Sequence, residues 1–157
     1  MGRSEDPGFC LLGSTTLLKQ VNELEANSKA AREMDTEGVH QMRVASRRLR
    51  AALPIFSSCF KESQHGRWRD GVKGLTKALG EARDTDVQVE YLRSFLEKAT
   101  EAERAGTKAL LELKEASRRG QQEQVLGWLD NMSLTACRMT SSATLSMLEV
   151  GVPSAPM

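Results

Sequence analysis

Between His40 and Arg50 the chain reads His-Gln-Met-Arg-Val-Ala-Ser-Arg-Arg-Leu-Arg, a stretch rich in cationic donors and without a single acid. At about 100° per residue, His40, Arg43, Arg47 and Arg50 fall inside an arc of about 80° on a helical wheel. Met42, Ala45, Leu49, Ala52, Leu53 and Phe56 gather on the far side. The segment thus has one face to bury and one that can donate hydrogen bonds to oxyanions. Arginine suits this chemistry because its planar fork grips phosphate or carboxylate oxygens in pairs. Like charges at these spacings repel by roughly 0.2–0.5 kcal/mol per pair, so an anion that neutralises them would be welcome. A solvated surface face is the plain alternative.

A second stripe lies further on. Arg69, Lys73 and Lys77 stand at i, i+4 and i+8, opposite an apolar row of Trp68, Val72, Leu75 and Leu79. If the two segments pack by their apolar faces, their basic stripes flank a shared groove that could hold successive phosphates. The elements needed to position them are helices. Periodicity predicts a first helix over 14–34, then one over 36–57 capped by Asp35 and frayed near its end by Pro54. A third over 67–79 is expected to stop at Gly80. A fourth is expected to start at Asp84, with Val87, Tyr91, Leu92, Phe95 and Leu96 turned inward. A fifth is expected from Glu101 to about Arg119, ending at Gly120.

His40-x-x-Arg43-Val44-x-x-Arg47-Arg48-Leu49-Arg50-Ala51, followed by Lys73-x-Leu75-x-x-x-Leu79-Gly80-x-x-Arg83-Asp84-x-Asp86-Val87, resembles the CHAD family of histidine-bearing α-helical domains. The resemblance covers roughly residues 14–119. It implies an all-α, antiparallel helical bundle that binds inorganic polyphosphate through a basic surface. On the family's motif positions, His40, Arg43, Arg47, Arg50, Lys73 and Arg83 would be the binding residues. Arg69 and Lys77 are added from the helical wheel alone. The family has two related bundles, and no second histidine-and-arginine motif follows Gly120. The expected organisation is therefore one bundle of the two at 14–120, a disordered lead at 1–13, and a divergent, partly disordered tail at 121–157.

The totals restrict the alternatives. Of 157 residues, 39% are hydrophobic and only 4% aromatic, a diet that favours helix packed on helix over sheet. Net charge is +1, so any polyanion affinity must come from local segregation of charge. Cys10, Cys59 and Cys137 show no zinc-like spacing, and a disulfide framework is not expected from them. They suggest a reducing, cytoplasmic setting, and the resemblance implies a place beside polyphosphate granules. No Gly-rich phosphate loop, Ser/His/Asp constellation or pair of catalytic carboxylates declares itself. A non-catalytic role follows, with no cofactor or metal and inorganic polyphosphate as partner. A membrane partner is not expected, nucleic acid is disfavoured because stacking aromatics are few, and a homodimer could rebuild the missing half.

Two other functions stay open at this stage. One is a metal-chelating or phosphate-accepting domain using His40 with Asp84 and Asp86, although acids at a helix start also serve as caps. The other is a helical module for RNA or an acidic protein. Arg83 could contact an anion or pair with a carboxylate. His65 is expected to be a solvated loop histidine, and Trp68 a core anchor.

Overall fold

A computed structural model describes residues 6–131, in four long helices and one short 3-10 turn. Helix α1 spans Pro7–Arg32, α2 Thr36–Ile55, α3 Glu62–Lys98 and α4 Glu101–Asn131, with the 3-10 turn at Ser57–Cys59. No strand occurs among the described residues, and the architecture is an all-α helical bundle. Helix α2 packs between α1 and α3, and α4 lies against α3.

Leu17, Val21 and Leu24 of α1 meet Val39, Met42, Ala45, Leu49 and Leu53 of α2 in the core. Val72, Leu75 and Leu79 of α3, with Val125 and Leu129 of α4, close it from the other side. Each large side chain fully buried here contributes roughly 1.5–3 kcal/mol. The α1–α2 crossing is close because Gly38 lacks a side chain: a Cβ there would stand 2.5 Å from the Ala30 Cβ and 2.9 Å from the Ala31 nitrogen. Asp35 caps α2 as expected, its Oδ2 accepting from the Gly38 amide at 2.7 Å.

Several expectations fail, each for a physical reason. The lead is not disordered from Pro7 onward, because α1 already begins there. Asp6 caps it by accepting from the Gly8 amide, and Pro7 sits at the one helical position that needs no donor. Gly80 does not stop a helix, and Asp84 does not start one. Residues 62–98 form one continuous α3, held by the burial of Val72, Leu75, Leu79 and Ala82 on both sides of the glycine. Packing outweighs the roughly 1 kcal/mol that glycine costs inside a helix. Gly120 is likewise interior to α4. Val87 and Tyr91 face outward instead of packing in, being 48% and 67% exposed.

The cysteines bring a further correction. Cys10 and Cys59 form a disulfide, tying the start of α1 to the turn after α2. Forty-nine residues separate them, and only the fold brings them together. His65 is no loop histidine either: it lies in α3, half-buried, and its Nε2 donates to the Leu53 carbonyl at 2.9 Å. Trp68 does pack on the core, edge-on to Phe60. Cys137, the expected tail helix and the far ends of the chain lie outside the described residues. No helix among the described residues is long and apolar enough to cross a membrane.

Candidate anion-binding groove

The continuity of α3 through Gly80 sets up the site. Because the helix does not break, Thr76, Lys77, Gly80, Glu81 and Asp84 share one face at three- and four-residue steps. That face lies opposite Arg43, Arg47, Arg50 and Ala51 of α2, and together they line an open groove of about 600 Å³. The α2 side is fixed by its buried stripe: with Met42, Ala45, Leu49 and Leu53 inside, the arginines at 43, 47 and 50 must point away from the core. Arg43, half-buried, passes beside Gly80, its Nε 3.8 Å from where a Cβ would stand, an ordinary contact distance.

The electrostatics of the groove are uneven. Arg43, Arg47 and Arg50 make no ion pair or side-chain hydrogen bond among the described residues. The Arg43 Nε is shielded from solvent and has no acceptor among the described residues. A buried donor left unsatisfied costs about 1–3 kcal/mol, which an incoming anion could relieve by redrawing the side chain. On the α3 wall, Lys77 stands 4.0 Å from Glu81, a pair exposed enough to be weak. Asp84 is exposed and has no partner among the described residues. The cationic side is thus unopposed along α2, while α3 contributes one lysine and two carboxylates.

Of the eight residues expected at the site, Arg43, Arg47, Arg50 and Lys77 come together in this groove. His40 is half-buried one turn before Arg43 and is not in the lining. Arg69 pairs with its neighbour Asp70 at 3.3 Å, near the start of α3. Lys73 is exposed one turn before Lys77, and Arg83 is half-buried; neither lines the groove. Glu81 and Asp84 were missed as walls because the reading broke the helix between them and Lys77. The i, i+4, i+7 spacing of 77, 81 and 84 carried that signal.

A larger cavity, about 740 Å³, lies between the α1–α2 connection and the α3–α4 pair. Its arginines are mostly matched. Arg118 donates through Nε to Asp86 at 2.7 Å and through Nη1 to the Gln122 side chain at 3.0 Å, and Arg93 meets Glu115 at 2.7 Å. Gln122 in turn donates to the carbonyls of Ala31 and Arg32 at the end of α1, at 2.9 and 3.2 Å; the Ala31 carbonyl also accepts from the Met34 amide. Asp86 is therefore a buried structural anchor inside a continuous helix, and Asp84, expected to cap a helix, lies inside it too. No group of three His, Cys, Asp or Glu suited to a metal ion occurs among the described residues.

Comparison with family models gives one match, described as CHAD domain, over residues 15–148. The matched span runs beyond Gly120, where the resemblance carried by the two motifs ended. Comparisons with curated proteins and with solved structures found no match.

Proposed function

This chain belongs to the CHAD domain family, and from that premise we propose that it is a non-catalytic module binding inorganic polyphosphate along the α2–α3 groove. The observation that carries the reading is the row of Arg43, Arg47 and Arg50, free of acidic partners and facing Lys77 across one groove. At 1.5 Å of rise per residue, the three arginines extend over about 10 Å of helix. A linear anion with closely repeated charge can meet all of them at once, whereas a single phosphate can meet one or two. Charge-assisted contacts of this kind contribute roughly 1.5–3 kcal/mol each, less where solvent and salt screen them. His40, Arg69, Lys73 and Arg83 would then act from outside the groove, on parts of a long chain that extend past it.

A mobility-shift titration with long-chain polyphosphate tests the proposal, with RNA and inorganic phosphate as competitors. Polyphosphate should shift the protein, RNA should compete weakly and phosphate hardly at all. Affinity should fall steeply as salt rises, because bound counterions are released from the polyanion. Arg43→Glu with Arg47→Glu should abolish the shift. Equal competition by RNA would favour a general polyanion module instead. The proposal keeps a cytoplasmic setting beside polyphosphate granules on the family's account alone, since the Cys10–Cys59 disulfide removes the argument from unpaired cysteines. Fractionation against a granule marker tests that, and thiol trapping in the same lysate shows whether Cys10 and Cys59 are joined there.

A further inference from the structure

The two carboxylates in the groove are hard to reconcile with a bare polyanion. Glu81 and Asp84 sit three residues apart on one face of α3 and line the same groove as the arginines. Both would repel a phosphate chain lying against α2. Neither is absorbed by the fold among the described residues: Asp84 has no partner there, and Glu81 reaches only an exposed lysine at 4.0 Å. Across from them stand three guanidinium groups without counterions, one with a shielded Nε lacking an acceptor. The cations call for an anion, and the acids call for something positive on its other side.

We infer that the groove takes the polyphosphate chain in its magnesium-complexed form, with phosphate oxygens toward Arg43, Arg47 and Arg50 and the ligand's magnesium toward Glu81 and Asp84. The inference rests on the polyphosphate reading above. Magnesium favours this arrangement: it keeps several waters and is usually held by one or two carboxylates together with substrate phosphates, not by an all-protein cage. Two carboxylates are too few to hold the ion alone, in line with the lack of any three-ligand cluster among the described residues. The metal would arrive with the ligand and remain bound to it. Its effect is to turn two repulsive contacts into attractive ones.

The test uses the full chain and long-chain sodium polyphosphate, titrated in chelator and again in millimolar magnesium. An ordinary counterion effect makes magnesium weaken binding by competing with the arginines. The inference requires the opposite sign: magnesium tightens wild-type binding several-fold. Glu81→Gln with Asp84→Asn should bind more tightly than wild type in chelator and be weakened by magnesium. Circular dichroism should show both proteins folded alike, since neither side chain is buried. Equal weakening of wild type and variant by magnesium overturns the inference while leaving polyphosphate binding intact. No binding in either buffer overturns the polyphosphate reading, and the inference falls with it.

Discussion

Arg118 on α4 and Arg43 on α2 both reach from a helix toward a neighbouring one, yet they end in opposite situations. The Arg118 side chain is 4% exposed, bonded to a 7% exposed Asp86 and to Gln122. Arg43 keeps an edge toward the groove, and its neighbours Arg47 and Arg50 are exposed and unpaired. The difference lies in what the opposing helix offers. Where α3 presents a buried aspartate, the arginine becomes a tie among α4, α3 and, through Gln122, the end of α1. Where α3 presents Gly80 and Thr76, no acceptor faces the arginine among the described residues. An arginine bonded through Nε and Nη1 keeps only its Nη2 for a ligand, whereas an unmatched row keeps its full capacity.

The largest expected effect breaks the first half of this contrast. Arg118→Met leaves the Asp86 carboxylate buried without its partner and should cost roughly 3–5 kcal/mol. Urea denaturation would show it as a lower midpoint. Adding Asp86→Leu should recover most of the loss, because two matched apolar groups leave no buried charge behind. A loss below about 1 kcal/mol in the single variant would mean the pair is not the tie described here.

Reducing the Cys10–Cys59 bond should act next. It opens a loop spanning 49 residues of sequence separation, and loss of a disulfide of that reach costs about 2–4 kcal/mol. The melting temperature should drop with dithiol, while polyphosphate affinity, measured where the protein is still folded, should stay the same. A parallel loss of affinity would show that the groove depends on how α1 is anchored.

Arg47→Ala reverses the pattern of Arg118. An exposed, unpaired side chain should leave stability within about 0.5 kcal/mol, yet polyphosphate affinity should drop roughly ten-fold. The contrast fails if Arg47→Ala destabilises the fold or leaves affinity untouched.

What the sequence revealed follows from the range of the physics involved. The cationic face of α2 was legible because burial of Met42, Ala45 and Leu49 fixes the orientation of the arginines within the same helix. Asp35 was legible as a cap because capping is a contact over three residues. The fate of Gly80 was not, since continuing α3 through it depends on Leu75, Leu79 and Ala82 finding partners on other helices. A helix break there would hide the acidic wall of the groove and put Asp86 in the first turn of a helix capped by Asp84, where in fact α3 runs through both. Arg118, the partner of Asp86, lies 32 residues away, and nothing local announces the pair. The same holds for Cys10 and Cys59, which only the packing of α1 on α2 brings together.

The smallest expected effect concerns the far end of the α3–α4 pair, where Ala99 is the only buried residue between 90 and 117. There Thr100 and Glu103 cap the start of α4, with the Glu103 carboxylate reaching back to Thr100 as in one half of a capping box. The Thr100 amide and hydroxyl both donate to Glu103 Oε2, at 2.9 and 2.8 Å. The amide bond first, and then the hydroxyl, hold the Glu103 carboxyl below its ordinary value. A carboxylate with a depressed folded-state value stabilises the fold above its unfolded value and loses that contribution as pH falls through the folded one. Acidification below the usual carboxylate range should therefore fray the first turn of α4. Amide exchange at Thr100 and Arg104, followed by NMR across that range, reads the effect directly. Glu103→Gln should show weaker protection at neutral pH and lose most of the pH dependence. Protection that stays constant through acidification in the wild type, or a Glu103 titrating at the ordinary value, would remove this cap as a source of order at this exposed tip.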